Sequence, residues 1–135
     1  MTIVRVNFGQ IVIYIGLITM NMGTLETYHQ AFLSGDIESL SEVLHDDCQF
    51  IAHVGDTIFG KQEMLGIAGS GAVSLESIRI LYENDEVGVD HCIAHFTNGS
   101  TSEAVLAFYQ FSEGKILRVE TGATPLSDDY QVVGS

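Results

Sequence analysis

The sequence predicts an α+β domain in which helices come first and an antiparallel sheet follows. Three observations carry this. Helical spacing of apolar residues is confined to the stretch between Thr24 and Ala68. Four later runs are rich in strand formers, Ser77 to Tyr82, Val87 to Phe96, Thr101 to Phe111 and Lys115 to Thr121. Between two of them stands Asn98-Gly99, the strongest short-range hairpin signal in the chain. Helices followed by hairpins indicate an antiparallel sheet packed on N-terminal helices.

The chain opens with a segment of different composition. Ile11 to Met20 is a continuous apolar run, too short for a bilayer span of roughly 20 residues. Arg5 upstream gives it a signal-peptide look, but no small-x-small cleavage site follows in Asn21 to Thr24. Its β-branched residues suit an extra strand, and translation starting at Met20 or Met22 is the other reading. Residues 1–23 are therefore set apart as an N-terminal extension, residues 24–126 as the domain, and residues 127–135 as a C-terminal tail.

Thr24 is a suitable N-cap for a first helix with Leu25, Tyr28 and Phe32 on one face, and Gly35 suits its end. Asp36 caps a second helix presenting Ile37, Leu40, Val43 and Leu44. His45-Asp46-Asp47 breaks that pattern. Cys48 to His53 and Thr57-Ile58-Phe59 read as short strands around a Gly55-Asp56 turn, and Lys61 to Ala68 as a third helix. The turns in the remainder fall at Glu83 to Glu86, Asn98-Gly99 and Glu113-Gly114.

At 135 residues the chain has the length of one ordinary domain. Eighteen acidic residues against five Lys plus Arg give a net charge of −13. Such a surface repels polyanions, so neither nucleic acid nor an anionic membrane is an expected partner. The two cysteines, Cys48 and Cys92, form neither a disulfide framework nor a CxxC motif, and read as reduced, partly buried thiols of a cytoplasmic protein.

Three stretches together carry a family resemblance. Tyr28-His-Gln-Ala-Phe-Leu-Ser-Gly-Asp36 leads to a helix ending in His45-Asp46-Asp47 and a strand into Gly55; Phe59-Gly60-Lys61 then opens a helix, and Tyr109-Gln-Phe-Ser-Glu-Gly-Lys-Ile116 closes the pattern. This resembles the nuclear transport factor 2-like superfamily, which includes ketosteroid isomerases, SnoaL-like polyketide cyclases, dehydratases and epoxide hydrolases, together with non-catalytic binding and association modules. The resemblance implies a cystatin-like, cone-shaped roll: a strongly bent sheet wrapped around the helices, with an apolar pocket inside and a homodimer formed through the outer sheet face.

It also assigns positions. The oxyanion tyrosine of ketosteroid isomerases falls on Tyr28, the catalytic base on Ala52 and the second oxyanion donor on Ala107. Two of these three functional positions are methyl groups, which argues against isomerase activity by the known mechanism. His53, one residue beyond the lost base, and Asp90 are the ionisable groups nearest the expected pocket, so Tyr28, His53 and Asp90 form the candidate catalytic set. By the same register Asp90, Cys92 and Ala94 turn inward with Val105 and Tyr109. With Phe50, Ala52 and Ala107, the residues Cys92, Val105 and Tyr109 make the expected ligand-binding surface. A one-residue slip at the Asn98-Gly99 turn reverses this register and brings His91 in for Asp90.

His91 and His95 have the H-x-x-x-H spacing of a zinc pair, but on a strand they lie roughly 13 Å apart at about 3.3 Å per residue, so no metal site is expected. Gly66 to Gly71 lacks the lysine of a phosphate loop and follows a helix. Two functional readings follow. One is a cofactor-independent isomerase, cyclase or dehydratase that moves a proton on a small apolar carbonyl compound. The other is a binding or homodimeric association module of the same fold without catalysis.

Overall fold

The spacing of apolar residues between Thr24 and Ser70 folds as three helices in the computed structural model, which describes residues 22–53, 55 and 57–131. The extra strand expected within residues 1–23 falls almost wholly outside these residues. Helix α1 (Thr24–Ser34) buries Leu25, Tyr28, His29 and Ala31 and ends at Gly35, whose φ of +69° suits the left-handed turn. Its start departs from expectation. Gly23, not Thr24, is the cap residue, and no side chain of the helix caps it. The Glu83 carboxylate does so instead, accepting from the Thr24 N–H at 2.9 Å and the Leu25 N–H at 3.2 Å. An anion there satisfies two of the otherwise unbonded amides and meets the positive end of the helix dipole.

Helix α2 (Ile37–Val43) is capped by Asp36, which accepts from the Ser39 N–H at 3.1 Å. Leu44, expected on that helix, is the first residue of strand β1 (Leu44–Ile51), which runs through His45-Asp46-Asp47. The reason is tertiary. Leu44 pairs with Ile116, and both are fully buried, while an irregularity between Leu44 and Gln49 absorbs the polar residues. Strand β2 (Ile58–Phe59) pairs back on β1, and helix α3 (Lys61–Ser70) follows.

The long strands are β3 (Val73–Glu83), β4 (Val87–Phe96), β5 (Glu103–Ser112) and β6 (Lys115–Pro125). β4 matches its expected span. β3 starts four residues early because Ser77, at φ +54°, lies where its pairing with β4 shifts, a bulge that interrupts the alternation on which strand recognition rests. β6 continues past Thr121 to the only proline, at the end of the strand where a missing N–H is tolerated.

The six strands lie in the order β2-β1-β6-β5-β4-β3. All neighbouring pairs are antiparallel except β1 with β6, which run parallel, so the expected antiparallel sheet is a mixed one. β1 is reached from a helix and not through a hairpin, and nothing in its own sequence fixes its direction against a strand that comes about seventy residues later. The sheet bends around the helices as an open cone. Leu25, Leu40, Leu44, Ile116 and Val119 belong to its buried core, and the concave face of β4 and β5 lines a cavity that Leu40 and Leu44 also reach.

Candidate functional site

The register of β4 on β5 decides what faces the cavity. Asp90 pairs with Ala107 and Cys92 with Val105, so Asp90, Cys92 and Ala94 turn inward beside Val105, Ala107 and Tyr109. His91 pairs with exposed Leu106 on the other face and is not among the lining residues. The cavity measures about 310 Å³. Apart from a small polar cluster and Thr121 its walls are hydrocarbon and sulfur, with Phe32, Phe50, Phe59 and Phe96 supplying the aromatic surface. No lysine or arginine lines it among the described residues.

The polar cluster sits where helix α1 crosses β4 and β5. Asp90 is 2% exposed, yet its Oδ2 stands 2.6 Å from Nε2 of His29 and accepts a hydrogen bond from the Tyr109 hydroxyl at 2.7 Å. Both partners meet the same oxygen. His29 is 6% exposed, and its second ring nitrogen, Nδ1, has no hydrogen-bond partner among the described residues. With Nε2–H given to the carboxylate, Nδ1 of a neutral imidazole carries a lone pair. A carboxylate bonded to one ring nitrogen fixes the orientation and tautomer of the imidazole.

Tyr28 packs edge-on to Tyr109 with ring centroids 5.9 Å apart and lies 5.4 Å from the His29 ring. Tyr28 is buried and lines the cavity, and its hydroxyl has no hydrogen-bond partner among the described residues. Burial, and next the negative charge of Asp90, push the Tyr28 hydroxyl well above its usual range, so it stays a neutral donor. Tyr109 is pushed up likewise, by burial first and then by Tyr28 and Asp90. Burial and the adjacent Asp90 charge drive the Cys92 thiol up to about 12, which makes it an inert part of the wall.

The sequence-predicted residues are thus distributed unevenly. Tyr28, Phe50, Asp90, Cys92, Val105, Ala107 and Tyr109 all line the cavity. Ala52 does not: β1 ends at Ile51, and the Ala52 N–H turns to the Thr57 carbonyl at 3.0 Å. His53 does not either. Its ring nitrogens are occupied by Thr121 Oγ1 at 3.1 Å and by the Glu103 carboxylate at 3.2 Å. His29 was absent from the expected set, although Leu25, Tyr28, His29 and Phe32 stand at i, i+3, i+4 and i+7, a helical stripe in which the first three are buried and Phe32 is half-buried. Among the described residues no group of three or more His, Cys, Asp or Glu could hold a metal ion, and His95 is bonded to Ser102 and Glu76.

A family model described as a SnoaL-like domain matches residues 22–120. The chain belongs to the SnoaL-like family. Solved structures agree on the architecture of this SnoaL-like domain. An NTF2-like protein of unknown function from Cytophaga hutchinsonii superposes with a TM-score of 0.64 at 13% identity, over 78% of this chain and 93% of that one. IdmH of Streptomyces antibioticus, a candidate polyketide cyclase, gives 0.59 at 18% identity over 74% and 88%. An LEH-like epoxide hydrolase from M. tuberculosis gives 0.58 at 15% identity over 75% and 80%. At these identities the likeness is one of fold, the nuclear transport factor 2-like cone expected from the sequence. No curated protein matches the chain's sequence. Among the described residues no helix is long and apolar enough to cross a membrane.

Proposed function

We propose that this SnoaL-like domain binds a small apolar carbonyl compound and moves a proton on it without a cofactor, as an isomerase, cyclase or dehydratase would. The observation that carries this reading is the 2.6 Å contact between His29 and Asp90, buried in an otherwise hydrocarbon cavity. His29 takes a proton from the carbon next to the carbonyl onto Nδ1. Asp90, fixed by Tyr109, stabilises the imidazolium that results. The electron pair left on carbon moves onto the carbonyl oxygen, and the Tyr28 hydroxyl donates a hydrogen bond to the charge that develops there. The imidazolium then returns its proton at another carbon, or to a departing oxygen. Compared with the expected set, His29 takes the role of proton shuttle that His53 or Asp90 was to fill, and Asp90 acts through it.

The retained alternative is a binding or association module with no catalysis, favoured by the methyl groups of Ala52 and Ala107 where related isomerases place acidic side chains. Homodimerisation belongs to either reading, supported by Leu106 and Phe108, which stand exposed on the outer face of β5. A location in the cytoplasm is likewise proposed, on the free state of both cysteines.

The test is proton exchange. Neutral apolar ketones are incubated with the protein in D2O, and loss of the proton signal next to the carbonyl is followed by NMR. Exchange catalysed by the wild type and abolished in His29→Ala supports the enzyme. Ketones that bind but exchange no faster than in buffer leave only the binding module.

A further inference from the structure

The cavity is polarised along its length. At one end stand Tyr28, His29, Asp90 and Tyr109, all buried. The inward residues of β4 then run Asp90, Cys92, Ala94, Phe96, which places Phe96 roughly 20 Å from Asp90 at about 3.3 Å per residue. Around Phe96 the wall is formed by Val73, Leu75 and Ile67, all half-buried. The half-buried lining residues, among them Phe32, Phe50, Phe59, Thr121 and Phe96, belong to the walls, whereas all four members of the polar cluster are buried, so a ligand meets the walls before it meets the cluster. The cluster holds a carboxylate without any cation among the described residues other than what His29 can provide.

We infer that the occupant is an uncharged, narrow, amphipathic molecule that enters with its single oxygen function foremost, seats it between the Tyr28 hydroxyl and His29, and leaves an alkyl or flat-ring body pointing to Phe96. The inference rests on the proposed ligand-binding reading and adds charge class, orientation and size. An anionic head is excluded on two counts. It would lose its hydration beside a buried cluster in apolar walls, and it would face Asp90, already the acceptor of two hydrogen bonds, with no lysine or arginine among the described lining residues to offset it. A neutral carbonyl needs one donor, and the unpartnered Tyr28 hydroxyl is one. The size follows from volume. At about 30 Å³ for each water in the liquid, the cavity holds on the order of ten non-hydrogen atoms. Coenzyme A thioesters and other anionic conjugates would have to keep their charged part wholly outside.

The experiment measures binding, not turnover, so it fails independently of the proton-transfer reading. Full-length protein is titrated calorimetrically with 2-alkanones from six to twelve carbons, with the matching carboxylic acids, and with alkylamines. Ketone affinity should rise about fourfold per methylene, as each buries a further increment of apolar surface, and level off near ten non-hydrogen atoms. At pH 7 the carboxylates should bind at least fiftyfold more weakly than ketones of equal length. The ratio of acid to ketone affinity should fall tenfold per pH unit above the acid's own pKa, because only the neutral acid enters. An Ala94→Phe variant, checked for folding by its melting curve, should lose the long ketones and keep the short ones. Carboxylates or amines that match or exceed the ketones at neutral pH would overturn the charge class. Equal loss of short and long ketones in Ala94→Phe would overturn the orientation.

Discussion

Truncating Asp90 tests whether the buried cluster holds the fold as well as the site. Asp90→Ala leaves two donors, His29 Nε2–H and the Tyr109 hydroxyl, facing a space where a single oxygen had satisfied both. A buried donor left without its partner costs about 1–3 kcal/mol, and breaking a buried pair costs about 3–5 kcal/mol, so about 4 kcal/mol is expected. For 135 residues at about 2.1 cal/mol/K each, the unfolding entropy is about 0.28 kcal/mol/K, which turns that loss into a fall in Tm of about 14 °C. Asp90→Asn behaves differently because both hydrogen bonds go to one atom. The amide oxygen placed there still accepts from both donors, and only the charge assistance is lost, so about 1–2 kcal/mol and about 4–7 °C are expected. Differential scanning calorimetry of the three proteins at one pH decides the matter. Equal losses in the alanine and asparagine variants would refute the shared-oxygen arrangement, since Asn would then be satisfying neither partner.

Glu83→Gln should lower stability by about 1 kcal/mol and Glu83→Ala by up to about 2, read from urea midpoints, because the carboxylate supplies the only side-chain cap of α1. Gly88→Ala places a methyl 2.7 Å from Leu25 Cδ1 and 3.0 Å from Phe111 Cζ, and should cost about 1–3 kcal/mol by chemical denaturation. Alkaline titration has a definite sign. Tyr28 and Tyr109 have folded pKa values raised above the usual 10, so their contribution is complete below pH 10 and is lost as pH rises through the folded values. Absorbance at 295 nm should show two tyrosines un-ionised at pH 11, released only when circular dichroism reports unfolding. Iodoacetamide at pH 8 should leave Cys92 unmodified in the folded protein and alkylate it in urea, as mass spectrometry would show.

Much of this site is written in local sequence. The inward register of β4 follows from Val87 to Phe96 being an uninterrupted strand and from Asn98-Gly99, where Gly99 adopts φ +85° and closes the hairpin. The alternation sets Asp90, Cys92 and Ala94 on one face, and the family resemblance implies that this face is the concave one. His29 was equally accessible through the stripe it shares with Leu25 and Phe32, but a polar residue at i+4 is easily passed over when the stripe is searched for apolar residues only. The Glu83 cap was out of reach, because it joins residues 58 and 59 positions apart and leaves no trace in the helix it caps. Ser77 misled for the opposite reason: a local irregularity hid a strand whose pairing is set by its neighbour. His53 looked well placed by adjacency to a known position, and the strand ended two residues too soon to carry it there.

The parallel pairing of β1 with β6 has a temporal consequence. Leu44 and its partner Ile116 are separated by 72 residues, and between them the chain makes the whole run from β2 to β5. During synthesis the helices and β1 leave the ribosome with their apolar surface unmatched, since Ile116 and Val119, both fully buried in the finished core, are made near the end. The hairpins of β3 to β5 can assemble from near neighbours, but the seam that joins the two halves closes only after almost all of the domain has been translated. A chain shortened before β6 would hold its helical and hairpin halves together only by the contacts of α1 with β3 and β4, such as the Glu83 cap and the His29–Asp90 pair. Mutations that slow β6 should show themselves first as exposure to chaperones and proteases, and only later as a lowered melting temperature.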